Sequence, residues 1–169
     1  MKKVAVVLTL LCMVLLAGCS ASVNNDDYLR VHIRANSNSQ IDQEVKYYAK
    51  DVVVTYLSPI LKDCGSKKEA VEIITGELKN IENIVDLALK EKGFDYGCSA
   101  KIKNEFFPTK TYEDLTLEAD YYDALIINLG SGEGQNWWCV MYPNICFNEP
   151  SNVVYKSKIK EIIQKLFGE

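Results

Sequence analysis

The chain has 169 residues, of which 48% are hydrophobic and 25% charged, a composition that suits one globular core. Its net charge of -4 disfavours a nucleic-acid partner. A single histidine leaves no good zinc ligand set.

Residues 1–18 open on Met1-Lys2-Lys3 and continue through an apolar run at 4–16. A basic start, a short apolar stretch and small residues describe an export signal. The run is too short for a comfortable transmembrane helix. Leu16-Ala17-Gly18-Cys19 has the form of a bacterial lipobox, in which Cys19 is lipidated and becomes the first mature residue. Ordinary cleavage near Ala21 and an uncleaved anchor are the alternatives. Loss of Lys2 and Lys3 with the signal takes the net charge from -4 to about -6. Residues 19–27 are short and polar and read as a flexible tether. The remaining stretch, 28–169, reads as a single α+β domain.

Within 28–35, Leu29, Val31 and Ile33 alternate with Arg30, His32 and Arg34, so a strand with one apolar and one cationic face is expected. Asn36-Ser37-Asn38-Ser39 is turn chemistry, with Ser39 placed to cap a helix over about 40–57 and Asp42 three residues later completing a capping-box-like pattern. Ile41, Val45, Tyr48, Val52 and Tyr56 form its apolar stripe, and Pro59 ends or kinks it. A second helix starts after Ser66 and runs to about Lys92-Gly93, with apolar residues at steps of three and four. Residues 98–103 alternate as a strand, and a short strand is expected near 115–117. The nearly continuous apolar run 124–129 reads as a central strand. Gly130-Ser131-Gly132-Glu133-Gly134 then reads as the turn of a hairpin whose return strand is 136–141. A short helix closes the chain. The expected architecture is one mostly antiparallel sheet of about four strands, with two long helices on one face.

Several chemistries can be weighed on this frame. The glycine loop lacks the G-K-[ST] ending of a phosphate loop and joins strands rather than opening a helix. A cysteine hydrolase would have to pair Cys139 with His32, and nothing local ties them together. Glu113-Asp114 and Glu118-Asp120 lie in a connection rather than a pocket. Cys64, Cys98, Cys139 and Cys146 remain after export, so three disulfide pairings or free thiols are open. Cys139 with Cys146 would close a short loop, and Cys64 and Cys98 lie at element ends that could meet. Adjacent Trp137 and Trp138 must point to opposite faces of a strand. One therefore enters a core, and the other is either covered or displayed. Arginine and tryptophan dominate interface energies. That makes Arg30, Arg34, Glu133, Asn136, Trp137 and Trp138 the candidate partner-binding residues, with no catalytic residue, metal or cofactor assigned.

Two stretches carry a family resemblance. L-R-V-H-I-R-A-N-S-N-S-Q-I-D-Q-E-V-K-Y-Y-A-K-D-V-V at 29–53, and 112–147 with N-W-W-C-V followed by P-x-x-C-F, resemble the stage II sporulation protein R family of endospore-forming bacteria. The chain departs from the family pattern at Ala49-Lys50-Asp51 and at Pro143-Asn144. The resemblance implies a protein secreted from the forespore into the space between the septal membranes. There it activates a membrane-embedded aspartic protease of the mother cell, which processes a pro-sigma factor. It implies an activator rather than an enzyme, with no small-molecule substrate. One tryptophan is then expected under the long helices and the other beside the Glu133 loop, facing the receptor. An exported cysteine hydrolase and a structural envelope lipoprotein are the rival readings.

Overall fold

The computed structural model describes residues 24–146 and 153–168, and side chains outside 153–158 among these. The leader at 1–18, Cys19 and the first part of the tether lie outside the described residues. A 3-10 turn, Asn25–Asp27, precedes β1 (Leu29–Arg34), α1 (Gln40–Leu61) and α2 (Lys67–Glu91). Then come β2 (Cys98–Phe107), β3 (Lys110–Tyr112), β4 (Leu115–Leu117), β5 (Asp120–Leu129), β6 (Asn136–Tyr142) and α3 (Val153–Phe167).

The main sheet has the order β2-β5-β1-β6. Two of its ladders, β2 with β5 and β1 with β6, are antiparallel, and β1 runs parallel to β5. The three helices contribute to one core on one face of this sheet, so the protein is a mixed α+β domain. Ser39 caps α1 by accepting the Asp42 N–H, and Ser66 caps α2 by accepting that of Glu69. Pro59 does not end α1. It sits inside the last turn, which buried Leu57 and Leu61 hold against the core.

The expected glycine hairpin is not formed. β5 and β6 are not neighbours, because β1 lies between them and pairs with both. Residues 130–135 therefore arch over the end of β1. The six-residue connection reaches about 20 Å when extended, whereas two strand spacings need only about 10 Å.

β1 is also covered on both faces. Its far face, with Phe107, Leu117, Tyr122, Ala124, Ile126 and Val140, forms a second, smaller core under the β3–β4 ladder. The molecule thereby has two distinct ends. Asn25 donates to Asp120 at 2.5 Å and accepts from the Tyr122 hydroxyl at 2.9 Å, which fixes the start of the domain at the first residues of β5. The loops 35–39 and 130–135 lie at the other end, roughly 30 Å away along β5. The 3-10 turn at Asn25–Asp27, capped by Asn24, thus falls inside the stretch expected to be tether.

Candidate partner-binding surface

The loop end is built around the arch. Asn36 emerges beneath it and is gripped from above. Its side-chain oxygen accepts the Ser131 N–H at 2.9 Å, and its carbonyl accepts the Ser131 hydroxyl at 2.7 Å and the Glu133 N–H at 3.3 Å. Gly134 donates to the Ala35 carbonyl at 2.8 Å, and Gln135 donates to Asn38 Oδ1 at 2.7 Å. This close approach explains the glycines. A Cβ on Gly134 would run into the Ser37 carbonyl, and Gly130 has φ +55 with Asn36 against its Cβ position.

A buried carboxylate anchors the lower loop. Asp42 is 5% exposed and accepts from Asn36 Nδ2 at 3.1 Å, Ser37 Oγ at 2.5 Å and the Tyr96 hydroxyl at 2.5 Å. Burial alone would raise its pKa. Hydrogen bonds from Ser37, Tyr96, Asn36 and Ser39 outweigh that and hold the carboxyl below its ordinary value. Lys46, also buried, donates to Gln43 Oε1 at 2.7 Å and to the Gln135 carbonyl at 3.1 Å, tying α1 to the arch. These two charged residues were not marked as site residues by sequence. Asp42 was visible there only as part of a capping pattern.

The six candidate binding residues fall in different settings. Glu133 and Asn136 are exposed on the loop end. Trp137 is half-buried against the helix-side core, with Lys50 Nζ 5.9 Å from its ring centre. Trp138 is half-buried on the opposite face, 5.3 Å from the His32 ring and 4.6 Å from Lys110 Nζ. Arg34 is partly exposed and pairs with Glu105.

Arg30 needs correction. It is 0% exposed, not part of an open cationic face. Its guanidinium lies 4.2 Å from the Phe107 ring centre and 4.8 Å from that of Tyr122, and it donates to the Tyr112 hydroxyl at 2.7 Å. The β3–β4 ladder supplies Tyr112 and so covers a strand face that alternation alone reads as solvated.

His32 is buried as well, with Nδ1 3.0 Å from Glu105 Oε1. Burial pulls its pKa below the ordinary histidine value, Arg34 adds to this, and Asn136 and Glu105 oppose it. Cys139 is joined to Cys146 by a disulfide and faces the helix side. A thiol at Cys139 and the His32 ring therefore stand on opposite faces of the sheet, and the hydrolase pair is not assembled.

Cys64 and Cys98 are free. Their thiols reach the backbone oxygens of Ser66 and Glu82, 16 positions apart beside α2. That is on the order of 24 Å, far beyond disulfide reach. Burial, Asp86 and Glu82 push the Cys98 thiol well up, which keeps it protonated and unreactive. Among the described residues no group of three His, Cys, Asp or Glu is placed to hold a metal ion. Among the same residues, no helix is long and apolar enough to cross a membrane.

Fold and surface together define a small mixed α+β domain whose most distinctive sequence builds a rigid pair of interlocked surface loops. The chain belongs to the stage II sporulation protein R family, whose model matches residues 25–152. Stage II sporulation protein R of Bacillus subtilis (strain 168) is 35% identical over 142 residues, 83% of this chain and 63% of that relative. The chain thus spans less than two thirds of that relative's length. No solved structure matches it. The family places the protein in sporulation.

Proposed function

We propose that this protein is an exported sporulation signal that activates a membrane-embedded aspartic protease in the mother cell and so triggers pro-sigma-factor processing. The observation that carries this reading is the family match across residues 25–152, which takes in both loops of the arch. The architecture supports it. The chain enters the domain at one end, and the interlocked loops stand at the other, where a partner across a gap would meet them. With a lipid on Cys19, the five positions to Asn24 give a reach of about 18 Å at most. The loop end would then point away from the membrane that the chain had crossed.

Co-expression with the candidate protease and its pro-sigma substrate, outside the sporulation programme, tests this directly. Processed sigma factor is expected only when all three proteins are present. Processing without this chain, or none with it, would contradict the proposal. Cys19→Ala in the same cells tests the tether, which is expected to lower processing; an unchanged yield would remove the lipid from the mechanism.

A further inference from the structure

Toward the loop end, the far face of the main sheet emerges from under β3 and β4. Arg30 is fully buried, Trp138 and Arg34 are partly exposed, and Asn136 is exposed. On β2, Ala100 and Ile102 pack on the helix-side core, so Lys101 and Lys103 stand on this far face, and both are exposed. One row of the sheet runs Lys101, Ile126, His32, Trp138. Lys110 reaches in from β3, with its Nζ 4.6 Å from the centre of the Trp138 ring.

The charge here is almost all of one sign. Glu105 is already engaged by Arg34, by Lys103 at 3.7 Å and by His32 at 3.0 Å. Among the described residues, Lys101 and Lys110 have no carboxylate within ion-pair distance. The four cations Arg34, Lys101, Lys103 and Lys110 against one carboxylate leave +3 with His32 neutral, on a chain of net charge -4. Such a concentration draws a partner of opposite charge. The Trp138 indole points the same way. Its N–H is buried and has no acceptor among the described residues, although a buried indole ordinarily finds one.

Shape chooses among anionic partners. Lys101 and Lys103 are two positions apart on one strand, about 7 Å, which is the interval between alternate residues of an extended chain. β3 and β4 stand above this side of the sheet by about 10 Å, one layer. The turn between them carries exposed Glu113 and Asp114. A flat bilayer would meet that acidic ridge first, whereas an extended segment can lie in the step beside it.

We infer that the loop end of this face binds an acidic, extended segment of a protein partner. Alternate carboxylates of that segment meet Lys101 and Lys103, and Arg34 and Lys110 add charge around Trp138. The inference goes beyond the activator reading and does not depend on it, because it follows from charge and shape alone.

The test uses the purified full-length protein and a fluorescein-labelled peptide of Glu-Ser repeats, with binding read by fluorescence anisotropy. The wild-type chain is expected to bind the peptide, and Lys101→Glu or Lys103→Glu to weaken binding about tenfold or more. Lys68→Glu makes the same change in net charge at an exposed position of α2 and is expected to leave binding unchanged. The indole N–H resonance of Trp138 is expected to shift as the peptide is added. Thermal unfolding of each variant separates lost binding from lost folding, and Lys101→Gln gives the same reading should a reversal not fold. No binding by the wild-type chain, or an equal loss in Lys68→Glu, would overturn the inference. So would phosphatidylglycerol vesicles that bind through Lys101 and Lys103 when the peptide does not. Co-expression with the protease tests the activator reading separately, so either can fail without the other.

Discussion

Asp42 shows how one residue fixes the shape of the loop end. It is buried, and three side-chain donors from Asn36, Ser37 and Tyr96 converge on it. Replacing it removes the acceptor that these donors share, and leaving buried donors unsatisfied costs about 1–3 kcal/mol. Asp42→Asn is therefore expected to lower stability by about that much at pH 7, measured by urea unfolding. The effect depends on pH in a defined sense. The folded-state pKa lies below the ordinary value of 3.8, so the unfolded chain binds the proton first as acid is added. The contribution is complete above that range and disappears as pH falls through the depressed folded value. The gap between wild type and Asp42→Asn should narrow below about pH 4. A gap that stayed constant down to pH 2 would show that the carboxylate charge is not what holds the loop. Sequence displayed Asp42 only as the third residue after a cap. Its role depends on Tyr96, 54 positions away, and no local pattern reports that contact.

Among the elements, helices were the most legible. Both caps, the α2 stripe and the short strand at Leu115–Leu117 follow from residue type and spacing. The order of strands was not legible. Two apolar strands joined through glycines read as a hairpin, yet β1 occupies the space between them. The apolar run in β5 does mark a strand buried on both faces, but not which strand sits beside it. The arch also changes the meaning of the glycine loop. Its glycines are needed because residues 130–135 close over Asn36 and Ser37, not because a tight turn demands them.

At the far end of β6, the disulfide performs a comparable local task. Val140 donates its N–H to Cys146 Sγ at 3.4 Å, and its carbonyl accepts the Cys146 N–H at 3.4 Å. Both outward-facing backbone groups of Val140 are thereby engaged on the edge strand. A loop this short, with a sequence separation of 7, is worth about 2–3 kcal/mol in the chain-entropy picture. The double variant Cys139→Ser, Cys146→Ser should lose about that much stability and still support sigma-factor processing where it remains folded. Loss of processing by a folded double variant would restore a chemical role for these sulfurs.

The whole molecule is organised by polarity. The described chain enters at one end, where Asn25 is held by Asp120 and Tyr122. The proposed recognition surface is the other end, where the arch and the Asp42 clamp stand together. The two faces of the sheet serve this arrangement. Helices cover one, and β3 and β4 cover the other above Arg30, so the end of the sheet rather than its face is left open for the proposed contact. The most direct measurement is site-specific photo-cross-linking in the reconstituted cells. A photo-reactive amino acid replaces either Gln135, exposed on the arch, or Tyr121, exposed at the N-terminal end. An adduct with the membrane protease is expected from position 135 and not from position 121. An adduct from 121 alone would contradict the proposed orientation, and the absence of any adduct from either end in cells that process sigma factor would contradict direct contact.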